Sequence, residues 1–168
     1  MQSALIDPTE LVALIDSGQA VLIDTRDPTG FAAGHIAGAV NMHDIFTFLA
    51  TSDSAGMIEL KEKFAAEFGA VGLDGQKTAV IYETSMNSGF GQSCRGYYLL
   101  SFLGYPKVKV LHGGLAAWMA EGLPVSTATV TPAPGWFKID PDAATIIMDM
   151  ADMKTAIDDP TAVILDVR

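Results

Sequence analysis

The stretch that most constrains this chain runs from Thr78 to Gly104, T-A-V-I-Y-E-T-S-M-N-S-G-F-G-Q-S-C-R-G-Y-Y-L-L-S-F-L-G. Ala79, Val80, Ile81 and Tyr82 form an apolar, β-rich run, which predicts a strand buried on both faces. Small polar and glycine residues follow from Thr84 to Gly91. Gln92 to Leu103 then supply helix formers on an apolar background, stopped by Gly104. A strand, a tight loop and a helix bring backbone N–H groups and the positive end of a helix to one point, where an anion or a thiolate is stabilised. The residue at that point is Glu83, which cannot act as a sulfur nucleophile.

Elsewhere the same alternation recurs. Asp7-Pro8-Thr9-Glu10 opens a helix through Leu11 and Ile15 that stops near Gly18, and Ala20–Asp24 is a short buried strand. Gly30 to Asn41 is a glycine-punctuated turn leading into a brief strand at Ala39–Met42. Leu60, Phe64 and Phe68 have helical spacing over residues 58–68, Lys107–Leu111 alternates as a strand, and Leu115–Glu121 makes a further helix closed by Gly122. The expected fold is α/β, with a central, mainly parallel sheet of about five strands between helices. A chain of 168 residues buries one full core with little left over. Ser126 to Gly135 is rich in Thr, Ala and Pro without period, so residues 126–139 read as a linker after a domain at 1–125.

Beyond that linker the chain begins again. Ile15-Asp16 and Ala20-Val21-Leu22-Ile23-Asp24-Thr25-Arg26 align without a gap on Ile157-Asp158 and Ala162-Val163-Ile164-Leu165-Asp166-Val167-Arg168, offset by a constant 142 (24 to 166, 26 to 168). A repeat at domain length implies two copies of one unit, with residues 140–168 the start of a second, truncated one. Chance similarity of two short helix-then-strand segments is the alternative, and the shared Asp-x-Arg ends weigh against it.

Three segments together resemble the rhodanese (sulfurtransferase) family: Gly34–Asn41 (G-H-I-A-G-A-V-N), Leu111–Val125 (L-H-G-G-L-A-A-W-M-A-E-G-L-P-V) and the strand–loop–helix between them. The resemblance covers about residues 6–126 and implies a three-layer rhodanese-like domain. In active members a cysteine directly after the central strand carries a persulfide, and the matching position here is Glu83. The loop from Glu83 to Arg95 is also longer than in compact active domains. Both departures resemble the N-terminal, non-catalytic half of tandem sulfurtransferases. The whole tandem protein is then expected to move sulfane sulfur from thiosulfate or 3-mercaptopyruvate to cyanide or a thiol. This half would form one wall of the cleft for the small anionic sulfur donor, with the second domain docked on it.

Two readings of Glu83 stay open: a charge mimic in the anion cradle with Thr84, Ser85, Asn87, Ser88, Gly89 and Arg95, or a solvated carboxylate at a strand end. Cys94, beside Arg95, is the rival nucleophile, and the expectation is a buried structural thiol in the second turn of the helix. A binding or regulatory module with a dead site, and a weak sulfurtransferase using Cys94, are the alternatives to the inactive half. Asp24 and Arg26 are expected to pair at a strand end, with Asp166 and Arg168 their counterparts at the cleft. His35 and His112 are expected to bond the backbone, and Trp118 to belong to the core.

Several classes fall away. Arg95 adjoins Cys94, so there is no C-x5-R phosphatase loop, and no phosphate-binding G-x-x-x-x-G-K-[ST] loop occurs. Three histidines and one cysteine make no zinc set, and no cofactor is expected. The net charge of −10 argues against nucleic acid and anionic membrane surfaces. No apolar run approaches the roughly 20 residues of a membrane span. One cysteine and no basic, apolar leader fit a reducing cytoplasm. Met148, Met150 and Met153 read as a soft docking surface for the second unit, open to self-association without it.

Overall fold

The computed structural model describes residues 3–51, 53–85, 91–141, 143, 148 and 150–166. In chain order its elements are β1 (Leu5–Ile6), α1 (Pro8–Asp16), β2 (Ala20–Asp24), α2 (Pro28–Ala33), β3 (His35–Ile36), β4 (Val40–Asn41), α3 (Asp44–Thr47) and α4 (Ser54–Ala70). They continue with β5 (Thr78–Tyr82), α5 (Gln92–Phe102), β6 (Val108–Leu111), α6 (Gly114–Ala120), β7 (Val125–Ser126) and α7 (Met150–Asp158). Five strands form one sheet in the order β1-β6-β5-β2-β4, and every pairing in it is parallel.

β5 is central, flanked by β2 and β6, which explains why its sequence is an unbroken apolar run. Its residues alternate between two cores. Ala79 and Ile81 face Phe64 and Phe68 of α4 and Leu99 and Leu100 of α5. Val80 and Tyr82 face Leu11 of α1 and Leu115 and Trp118 of α6. Phe64 and Phe68 are fully buried, each contributing about 2–3 kcal/mol of apolar burial. The expected parallel α/β sandwich is therefore present, with Trp118 in the core as anticipated.

The helices missed or shortened in sequence start on aspartate caps. Asp27 accepts a hydrogen bond from Gly30 N at 3.0 Å and precedes Pro28 at the first helical position, so part of the expected turn is α2. Asp53 accepts from Gly56 N at 2.8 Å and starts α4 at Ser54 instead of 58. The first turn of α4 carries small and polar residues, so the apolar spacing begins only further along.

Among the described residues between β7 and α7 there is no helix or strand, yet those of 127–140 are fastened to the domain. β7 pairs antiparallel with β3. Gly135 N donates to Gly69 O at 2.8 Å and Asp140 N to Leu103 O at 3.0 Å. Glycine allows the approach: a Cβ on Gly69 would sit 3.1 Å from Gly135 O, and one on Gly72 (φ +90°) 2.9 Å from Ala133 O. Phe137 then stacks on Tyr105, with centroids 5.6 Å apart, and lies 5.5 Å from Phe68. The strap of residues 133–140 completes the core on the α4–α5 face.

α7 buries none of its residues, and Met148, Met150 and Met153 are all exposed. Its bounds are those of α1 displaced by 142 at both ends (8 to 150, 16 to 158). Among the described residues, no helix is long and apolar enough to cross a membrane.

If the strap is part of the core, Phe137→Ala will lower stability by about 2 kcal/mol, measured by urea unfolding. The neighbouring Trp136→Ala, at a side chain 84% exposed, will change it by less than about 0.5 kcal/mol.

Candidate functional site

Glu83 directly follows β5 at the carboxyl edge of the sheet, the edge at which ligands bind in open α/β folds. Its backbone is gripped from two sides. Leu115 N and Ala116 N, at the start of α6, donate to the carbonyl oxygens of Glu83 and Thr84, both at 2.9 Å. Thr25 donates its N–H and its hydroxyl to Tyr82 O at 3.0 and 3.1 Å. Gly114 makes the first grip possible: its φ is +63°, and a Cβ there would lie 2.5 Å from Glu83 O. That is the physical content of the Gly113-Gly114 pair.

The Glu83 side chain is turned inward and 1% exposed. Its Oε2 accepts from Ser93 N in the first turn of α5 at 3.2 Å. The carboxylate therefore caps a helix whose N-cap, Gly91, is left-handed and offers no side-chain oxygen of its own. Burial pushes the Glu83 carboxyl above its ordinary value, and hydrogen bonds from Ser93 N and Gln92 N pull partly back. The Ser93 hydroxyl also favours the charged form, although it is buried and has no partner at hydrogen-bond geometry among the described residues. A solvated carboxylate at a strand end, the blander expectation, does not describe this residue.

Other expected site residues lie apart. Arg95 is turned toward α3: its Nε and Nη2 donate to Ile45 O at 2.6 Å and Phe48 O at 2.7 Å. From α5 it ties down carbonyls in and just after α3, which end without helical partners. Cys94 is exposed, not buried, and stands in the first turn of α5, not the second. The buried stripe of that helix runs through Ser93, Gly96, Leu99 and Leu100, and Cys94 falls one position off it. Thr84 is exposed and Ser85 half-buried. Asn87, Ser88 and Gly89 lie outside the described residues, as does Arg168.

Asp24 and Arg26 form the expected pair: Nη2 to Oδ2 is 2.6 Å and Nε to Oδ1 3.0 Å. Arg26 also donates to Gly34 O at 2.7 Å, and Asn41 Nδ2 donates to the carbonyls of Asp24 and Arg26. Asp24 is fully buried, so the pair is a structural clamp between β2 and the start of β3. Asp166 is exposed. His35 does face the backbone, with Nδ1 2.9 Å from Phe31 O and Nε2 3.1 Å from Ala128 O, its ring stacked on Phe31. The His112 ring instead lies against a side chain, Nδ1 3.2 Å from Asp7 Oδ1. Among the described residues no cluster of His, Cys, Asp and Glu could hold a metal ion. Sequence reasoning missed Thr25, Ser93 and Tyr82, whose hydroxyl accepts from Ile36 N at 3.1 Å.

The model of the rhodanese-like domain matches residues 7–121, the span holding the sheet, the Glu83 loop and the double-glycine turn. The chain belongs to the rhodanese family. It is 30% identical over 131 residues to the thiosulfate sulfurtransferase of Azotobacter vinelandii, covering 78% of this chain and 47% of that protein. It is 29% identical over 138 residues to human 3-mercaptopyruvate sulfurtransferase, covering 82% and 46% respectively. The crystal structure of SseA from Escherichia coli, a 3-mercaptopyruvate sulfotransferase, superposes with a TM-score of 0.72 at 25% identity, covering 92% of this chain and 62% of SseA. The chain thus spans about half the length of the curated relatives it matches.

Two outcomes test the site. Gly114→Ala will cost upwards of about 2 kcal/mol in chemical unfolding, whereas Gly18→Ala, equally left-handed but with nothing within 4 Å of its Cβ, will cost about 1 kcal/mol. A carboxyl raised in the folded state stabilises most below its unfolded value, so Glu83 erodes stability as pH rises through its folded value. Glu83→Gln will flatten that part of the stability–pH curve, and urea midpoints from pH 4 to 8 will show it.

Proposed function

We propose that this rhodanese-like unit is the N-terminal, non-catalytic half of a tandem sulfurtransferase that moves sulfane sulfur from thiosulfate or 3-mercaptopyruvate to cyanide or a thiol. The observation that carries the reading is the buried carboxylate of Glu83 on the N-terminus of α5, where the chemistry requires a thiolate. In such a reaction a thiolate attacks the outer sulfur of thiosulfate, the S–S bond breaks, and sulfite leaves with the electron pair. The acceptor then takes that sulfur from the persulfide and frees the thiolate. A carboxylate cannot hold sulfur in this way, and in the same cradle it repels the anionic donor.

The tandem arrangement has its own support. The helix α7 repeats α1 at the offset found in the sequence, and Ile157, Ile164 and Leu165 are exposed at positions whose apolar character suits a core. The relatives' greater length leaves room for a second unit. Within the whole protein this half covers the second one and forms a wall of the donor cleft. One observation favours a second reading, a weak sulfurtransferase: Cys94 is exposed in the first turn of α5 beside Arg95.

A thiosulfate:cyanide assay separates the two, with no turnover expected from this chain and Cys94-dependent turnover overturning the assignment. Glu83→Cys in a Cys94→Ser background will introduce a thiol with a pKa below the ordinary value of about 8.5, seen as faster alkylation at pH 7 than Cys94 shows. The coding sequence beyond Arg168 will carry the nucleophilic cysteine near about position 225, by the repeat offset.

A further inference from the structure

On the face of the sheet covered by α4 and α5, the chain carries an apolar hollow of about 260 Å³. Met57 and Leu60 of α4, Tyr98 and Leu99 of α5, and the turn at 49–51 line it. All belong to one layer: Leu60 and Leu99 share a core cluster, with Met57 packed against it. Each helix that joins two parallel strands runs back against them, so α4 and α5 both begin at the carboxyl edge, where Glu83 lies. The hollow therefore opens beside the cradle.

Its rim is apolar as well. Leu49 is 77% exposed, Tyr98 is 36% exposed, and Cys94, one turn before Tyr98 on α5, is exposed too. Leu49 is held out by clamps on both sides. Arg95 fixes the carbonyl of Phe48 at 2.7 Å. Thr51 donates its hydroxyl to Asp53 Oδ1 at 2.9 Å, and a Cβ on Gly56 would collide with Thr51, so the turn sits tightly on the first turn of α4. A single exposed leucine is ordinary, but one presented on a fixed turn at the mouth of an apolar hollow loses little freedom when covered.

The bare side of α7 is already spoken for. At the repeat offset Met153 corresponds to Leu11, which is fully buried, so that side belongs to the interior of the second unit. The hollow is the surface that the first unit itself offers. Resting on the tandem assignment made above, we propose that the hollow is the seat of the second rhodanese-like unit, which places an apolar side chain in it and covers Leu49, Tyr98 and Cys94. The length by which the relatives exceed the match, 47% and 46% of them being covered, supplies a unit of that size. Seated there it overhangs the cradle, because Cys94 adjoins Ser93, whose amide Glu83 holds.

Peptide-resolved alkylation of Cys94 tests this on two native proteins, the 168-residue chain and the chain extended through the residues encoded after Arg168. In the extended chain Cys94 will react at least about tenfold more slowly. Leu49→Lys will restore most of the lost rate, each variant being compared with its own shorter chain, and Tyr98→Gln serves should the first not fold. Equal rates in the two proteins, or protection that survives both substitutions, overturn the proposal. So does protection that grows with the concentration of the shorter chain, which would put a second copy on the hollow. Thiosulfate:cyanide turnover by the extended chain tells the two levels apart. Turnover with Cys94 unprotected removes this seat and keeps the tandem assignment, whereas the lack of a second unit after Arg168 removes both.

Discussion

The amides of Leu115 and Ala116 close on the carbonyls of Glu83 and Thr84, and the carboxyl edge of this domain is arranged around that contact. It fixes where the chain goes after the central strand. Thr25 holds the last carbonyl of β5 from the β2 side, while α6 holds the next two from the other. With the backbone clamped so, the side chain at position 83 is directed at the first turn of α5. Any residue placed there meets converging amides. Gly114 is the enabling residue, since a methyl group in its place would collide with the very oxygen the helix must reach.

What sits at that point decides the chemistry. Removing a carboxylate from water costs several kcal/mol. Against this stand charge-assisted hydrogen bonds from backbone amides, roughly 1.5–3 kcal/mol each, and a helix terminus adding at most about 2 kcal/mol. The two sides nearly balance, and the upward displacement of the Glu83 carboxyl says that burial wins by a margin. A thiolate or persulfide is larger, softer and less strongly hydrated, so the same cradle would tip toward the anion. On these magnitudes the cradle holds the Glu83 carboxyl at some cost and would hold a softer anion more readily.

The unbroken apolar run at Ala79–Tyr82 made the central strand legible, because only a strand covered on both faces dispenses with alternation. Asp7-Pro8 gave away α1, and the same Asp27-Pro28 pair was present at α2, where Gly30 disguised it as a turn. The place of Glu83 after the strand was readable; its burial was not, because that depends on two helices distant in sequence. Cys94 and Arg95 went astray for one reason. Their roles depend on the rotation of α5 relative to the sheet, and a helix with Ser93 and Gly96 on its buried face carries little of that phase in its hydropathy. The strap was legible as aperiodic chain, while its seating needed the bare backbones of Gly69, Gly72 and Gly135 to meet, a property of surfaces and not of segments.

The repeated segments make the same point from the opposite side. Ala20-Val21-Leu22-Ile23-Asp24 and Ala162-Val163-Ile164-Leu165-Asp166 differ only by an exchange of isomers, and local propensity treats them alike. The first lies between β4 and β5, with Ile23 fully buried; the second forms no strand, and Leu165 is 79% exposed. The difference is entirely in the neighbours. A strand's hydrogen bonds and its burial are both supplied by other segments, so a β sequence is a statement about what must lie beside it. The helical copy, α7, forms because its hydrogen bonds are internal, yet it too keeps its apolar side bare.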